Sequence, residues 1–229
     1  MTSIVDLSPL VPHGFKGPPS TNIGVQFEVR TKRAGSAYWQ SGQVFMSLHT
    51  GCHVESALHC FEEGASIDQV GLERVIGTAV VLDLTPIVER ALIDVTNLER
   101  AQERLGARHE TIRQGDILLL HTDWAQRAIG TPSYFPQSPA LTEDAARWLV
   151  EKQPKCIGCD FFEEPAARDP GWTADQFVVH QAIFVAKIPL VEGLVNLAQL
   201  PPRCQFFAPF YHFAGIDSAP ARAFALVEA

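Results

Sequence analysis

Three of the chain's eight histidines, His49, His53 and His59, fall within one eleven-residue window, and Glu55 stands among them. Eight histidines spread evenly over 229 residues would put about 0.4 in such a window (8 × 11/229). Imidazole nitrogens and carboxylate oxygens are ligand atoms for zinc and manganese. Two imidazoles with one carboxylate leave coordination positions open for water. All four residues have odd numbers, so an extended strand would turn them to one face. A straight strand from 49 to 55 is nevertheless about 20 Å long, against metal–ligand bonds of about 2.0–2.2 Å. The backbone must therefore bend between His49 and His53. Gly51 lies there, able to take a sharp turn and to leave a position open for an ion. The pattern is not the helical H-E-x-x-H arrangement, because Thr50, Gly51 and Cys52 separate the histidines and the acid follows them. The plainer alternative, histidines capping turns in a surface loop, suits a lone histidine better than three beside a carboxylate.

Other chemistries have little footing. No G-x-S-x-G elbow and no glycine-rich phosphate loop occurs, so serine-hydrolase and nucleotide chemistry are unsupported. The five cysteines are an odd number without an export signal, which points to reduced thiols and a cytoplasmic chain. Cys156 and Cys159 form a lone C-x-x-C that reads as small residues flanking Gly158 in a buried strand. A net charge of −8 argues against nucleic acid and anionic lipid as partners. No apolar run approaches the ~18 residues of a membrane span. A small-molecule substrate is the remaining expectation.

The elements that must hold these residues are short. A composition of 46% hydrophobic and 19% charged residues describes a folded chain with a sizeable core. β-Branched and aromatic runs bounded by Gly, Pro or Asp predict strands at 24–29, 45–49, 78–84, 116–122, 155–159, 187–192, 205–214 and 221–227. Helical spacing predicts helices at 97–105, 142–153 and 173–184, with Asn97, Thr142 and Thr173 as N-caps. Prolines between 9 and 19 mark residues 1–22 as an extended arm. The expectation is one α/β domain over 1–229, with a mixed sheet or barrel-like core flanked by a few helices.

The segment 49–59 resembles the H-x-G-T-H-x-D-x-P-x-H signature of the metal-dependent cyclase family, which includes bacterial kynurenine formamidase and isatin hydrolase. Supporting likenesses are Asp6-Leu7-Ser8-Pro9, the run 115–124 from Gly115-Asp116 to Asp123-Trp124, Gly158-Cys159-Asp160, and the tail 209–223 containing Gly215-Ile216-Asp217-Ser218. The resemblance implies a swivelling β/β/α fold and one or two divalent ions, Zn2+ first and Mn2+ second. It places His49, His53 and Glu55 on the first ion, with Glu55 and Glu192 bridging. His180, twelve residues before Glu192 (192 − 180 = 12), would hold the second. His59 matches the family's proton-transferring residue. The family's N-terminal arm often reaches a neighbouring subunit, which implies a homodimer or higher homo-oligomer. Glu55 stands where the signature has Asp, Cys52 where it has Thr, and Ala57 where it has Pro.

Such a cation lowers the pKa of a water toward roughly 7 and polarises a carbonyl. A histidine beside it can carry a proton from nucleophile to leaving nitrogen. The reaction expected is hydrolysis of an amide or cyclic amide in an aryl formamide or isatin-like compound, with Phe15 lining the aryl pocket. The alternatives are a cyclase, dehydratase or lactone hydrolase using the same site, and a non-catalytic metal-binding relative.

Overall fold

The computed structural model describes residues 2–168 and 171–228. In chain order the first elements are β1 (Thr2–Asp6), β2 (Gln26–Ala34), β3 (Ala37–Phe45), β4 (His53–Glu55), α1 (Leu72–Val75), β5 (Ile76–Asp83), β6 (Leu92–Ile93), α2 (Val95–Ala107) and β7 (Ile117–His121). There follow α3 (Trp124–Ala128), α4 (Tyr134–Gln137), β8 (Ala140–Leu141), α5 (Glu143–Glu151), β9 (Cys156–Cys159), α6 (Val178–Phe184), β10 (Leu190–Glu192), β11 (Arg203–Phe207), β12 (Ser218–Pro220) and β13 (Phe224–Glu228).

Nine strands form one mixed sheet in the order β1-β13-β11-β5-β7-β9-β10-β4-β12. Its centre, β5-β7-β9-β10, is parallel, and both flanks are antiparallel. The Ile117–His121 run is buried throughout, as a parallel strand covered on both faces must be. Leu118 and Leu120 join a core with α2, α5 and α6, while Ile117 and Leu119 join a second core behind the sheet. Burying each such side chain contributes roughly 1.5–3 kcal/mol. Cys156 and Cys159 are unpaired and buried in β9, as expected of small strand residues.

Several expected boundaries move, each for a local reason. No strand covers 45–49. β3 stops at Phe45, and the Ser47 hydroxyl accepts the His49 N–H at 3.4 Å where a ladder partner would have to sit. The helix expected at 173–184 breaks at Phe177 (φ −76°, ψ 59°), leaving a 3-10 turn at Ala174–Gln176 before α6. α2 begins earlier than expected: Asp94 is its cap, and Asn97 is the reciprocal partner of a capping box. The strand expected at 205–214 ends at Phe207, ahead of Pro209, which has no N–H to donate. Within the expected arm, residues 2–6 pair with β13 as an edge strand of the sheet. The expected strands 24–29 and 45–49 touch only the two outer ends of the long β2–β3 hairpin, which among the described residues forms a two-stranded sheet of its own.

Candidate metal centre

Register at one end of the sheet assembles the site. β4 lies between β10 and β12, with His53 opposite Glu192 on one side and Pro220 on the other, and Glu55 opposite Ser218. Directly opposed residues share a face, so His53, Glu55 and Glu192 project together while Val54 points into the second core. Gly51 has φ +69°, the turn the spacing demanded, although a side chain there would strike Val11 and not a position for an ion. Gly193, also at φ +69°, lets the next turn approach: its Cβ would lie 2.2 Å from the Gly51 carbonyl oxygen. Both turns need glycine, and together they fix the loop before His53 against the end of β10.

Each imidazole is aimed by a partner on its far side. His53 Nδ1 donates to the Gly51 carbonyl at 3.0 Å, which leaves Nε2 to face Glu55 Oε1 at 2.9 Å. His49 turns Nδ1 to the same Glu55 oxygen at 2.5 Å and Nε2 to Asp217 Oδ2 at 2.9 Å. That Asp217 oxygen also takes His59 Nδ1 at 2.9 Å. Glu164 Oε2 accepts the backbone N–H groups of Val179 and His180 at 3.0 and 3.2 Å, and faces His180 Nδ1 at 3.3 Å. Its carboxylate therefore starts α6 and turns His180 Nε2 inward.

His180 Nε2 lies 3.3–3.4 Å from Glu55 Oε2, Glu163 Oε1 and Glu192 Oε1. All three oxygens are buried and make no hydrogen bond to any described residue. Three buried carboxylates facing one imidazole without a hydrogen bond are expensive unless a further cation meets them. These donors, two imidazole Nε2 atoms and clustered carboxylates, suit a divalent cation.

The field follows the geometry. Burial opposes the charged His49 ring, but Glu55 and Asp217 on either side outweigh it and push its pKa up to about 10. Burial also opposes a charged His180, yet Glu164 and the carboxylates around Nε2 hold it well above the usual histidine range. Burial, with Glu192 beside it, pushes the Glu163 carboxyl well above the usual carboxylate range. Glu55 goes the other way: burial would raise it, and the charges of His59 and His49 hold it well below.

Above the cluster opens a cavity of about 210 Å³ whose walls include Phe135, Phe162, Trp172 and Phe177, with His49, Glu55, His59, His180 and Glu192 at its polar end. Phe15 does not line it. That ring is buried behind the histidines, beside Gly130 and Ile129. All six polar residues read from the sequence lie in this cluster, divided among three overlapping groups: His49 with Glu55 and His59, His53 with Glu55 and Glu192, and His180 with Glu163 and Glu192. Glu163, Glu164 and Asp217 were missed as participants. Asp217 lay in plain view in the tail motif; the Glu163–Glu164 pair, following Phe161-Phe162, offered only the oddity of two acids in an apolar run. Asp160 of the Gly-x-Asp motif has a structural task, accepting from Thr122 N–H and Oγ1 and from Asp123 N–H at 2.6–2.8 Å to lock the turn after β7.

A curled mixed sheet carrying histidines and acids at the end of β4 and β10 is the architecture of the Cyclase family, whose model matches residues 5–163, and the chain belongs to that family. It is similar to a kynurenine formamidase of Bacillus mycoides (strain KBAB4), 26% identical over 198 residues, 86% of this chain and 85% of that one. It is also similar to an isatin hydrolase of Roseibium aggregatum, 27% identical over 199 residues, 78% and 72% of the two chains. Among solved structures, an isatin hydrolase bound to the product analogue thioisatinate shares the fold at TM-score 0.81 and 20% identity, over 100% of this chain and 93% of that one.

Among the described residues, no helix is long and apolar enough to cross a membrane.

Proposed function

We propose that this protein is a metal-dependent hydrolase that opens the amide or cyclic amide of a small aryl compound, an aryl formamide or an isatin-like lactam. The observation that carries the reading is the set of three buried carboxylate oxygens that crowd His180 Nε2 without a hydrogen bond to any described residue, at the floor of an aromatic-walled cavity. The similarity to kynurenine formamidase and isatin hydrolase supports the same bond type. His49, His53 and Glu55 would hold one cation and His180 a second, with Glu55 and Glu192 shared between them; Zn2+ is the first candidate and Mn2+ the next. The cation supplies Lewis acidity toward a water molecule and the scissile carbonyl.

This chain's own residues do the rest. Phe135, Phe162, Trp172 and Phe177 receive an aryl ring and exclude water from it. His59, held by Asp217 and facing the cavity, takes the proton of the attacking water and returns it to the leaving nitrogen. The test is turnover of N-formylkynurenine and isatin by protein loaded with Zn2+ or Mn2+, before and after chelation. Hydrolysis of at least one that disappears with the metal and returns with it supports the reading. Metal-loaded protein inert toward acyl and lactam compounds alike overturns it.

We also propose a homodimer built on the β2–β3 hairpin, and a cytoplasmic location consistent with five unpaired thiols. A two-stranded hairpin is marginal alone, yet this one exposes Phe27, Val29, Trp39, Val44 and Phe45, with Trp39 50% and Phe45 60% accessible. A second copy burying those side chains explains the exposure. Sedimentation at the mass of two chains is expected at micromolar concentration; a single-chain mass overturns this.

A further inference from the structure

Glu163 is fully buried, and both its oxygens are directed. Oε2 accepts the Cys159 thiol at 3.4 Å, and its backbone carbonyl accepts the Leu141 N–H at 3.0 Å, so the residue is held at both ends. Oε1 then points at His180 Nε2, 3.3 Å away, without a hydrogen-bond partner of its own. Ligand atoms of Glu163, His180 and Glu192 all lie within 4.8 Å of one another. A buried acid serving only structure would be expected to spend that oxygen on a hydrogen bond.

We infer that Glu163 is a direct ligand of the cation at His180, turning this half of the centre into one imidazole with the carboxylates of Glu55, Glu163 and Glu192. That inference rests on the metal-hydrolase reading above. The first half, with His49 and His53 about Glu55, keeps two nitrogens; the second has one nitrogen among oxygens. Oxygen donors suit harder cations, so the His180 position discriminates less against Mn2+ relative to Zn2+ than the His49–His53 position does. Cys159 acts behind Glu163 as Gly51 does behind His53: it orients the ligand without touching the ion.

The test titrates metal-free protein with Mn2+, following free Mn2+ by electron paramagnetic resonance, and compares wild type with Glu163→Gln. Glutamine keeps the size and the Cys159 contact but gives up the charge. The Mn2+ site at His180 should lose about 100-fold or more in affinity in the variant, at least what the loss of an outer partner of a ligand costs, while the other site is unchanged. Folding is controlled by melting both proteins without metal, where an amide of the same size in place of the Glu163 carboxyl should leave the variant no less stable. The Mn2+-induced rise in melting temperature should shrink in the variant alone. Equal Mn2+ affinities for the two proteins, or a variant that melts lower without metal and recovers fully with it, overturns the role of Glu163. A wild type that binds neither Mn2+ nor Zn2+ instead sinks the metal-hydrolase reading itself.

Discussion

His53→Ala is expected to leave the protein without tightly held metal and to reduce kcat/KM for its amide substrate by about 10³-fold or more. Metal Lewis acidity is worth several kcal/mol of transition-state stabilisation, and about 4 kcal/mol already corresponds to a thousandfold. His53 is the hinge of the site because it is fixed on three sides: Gly51 holds Nδ1, Glu55 faces Nε2, and the Glu192 backbone lies opposite in the ladder. Alanine leaves Glu55 and Glu192 facing each other across the gap, two charges with less to join them. The readouts are metal content per chain and melting temperature with and without Zn2+ or Mn2+. Ligand at a hundred times its Kd stabilises by about 2.7 kcal/mol, which in a chain of this size is a rise of about 5–10 °C. Wild type should show it and His53→Ala should not.

The same rise should grow with pH. Burial and Glu192 lift the folded-state pKa of Glu163, and the surrounding acids lift those of His180 and His49. Each of these groups binds more protons folded than unfolded, so metal-free stability falls as pH climbs through the window between the two pKa values. For His49 that window runs from about 6.5 to about 10. Metal binding needs the same ligands deprotonated, so the gain at pH 8 should exceed the gain at pH 6. A His53→Ala protein that purifies with the wild-type metal content overturns the assignment.

What could be read in advance followed chain locality. His49, His53, Glu55 and His59 lie within eleven residues, so composition and parity exposed them, and the length of an extended strand forced the bend that Gly51 makes. His180 and Glu192 are remote from that window, and only a family spacing tied them to it. The structure shows the tie to be strand register, β10 against β4, which is a tertiary fact with no local signature. Asp217 stands in the tail motif, but its task and that of Glu164 have no sequence signature, since each acts through a histidine on another element. The central strands were legible because parallel strands buried on both faces are continuous apolar runs. The β2–β3 hairpin was mostly missed for the opposite reason: charged and apolar residues share its strands, and almost all of them are exposed.

His59→Ala separates proton transfer from metal binding. The variant should keep its metal and its KM within a few-fold while kcat falls by about 10²–10⁴, the usual contribution of a positioned acid or base. His59 sits on a single 3-10 turn (Ala57–His59), with one face on the cavity and Nδ1 on Asp217. Its ring centroid is 4.5 Å from that of His49 and 5.4 Å from that of His180. A rival role is therefore ligation, since His49, Glu55 and His59 also lie close enough to share an ion. The two roles diverge under substitution. A ligand takes the metal with it when removed; a proton carrier leaves the metal and opens a space that added imidazole can enter, so rescue of kcat by imidazole is expected. Asp217→Asn supplies the cross-check, because that carboxylate orients both His49 and His59. It should weaken metal binding by about 10–100-fold and lower kcat together, whereas His59→Ala lowers kcat alone. Loss of metal from His59→Ala on the scale of His53→Ala would move His59 into the ligand set and leave the proton step to another group.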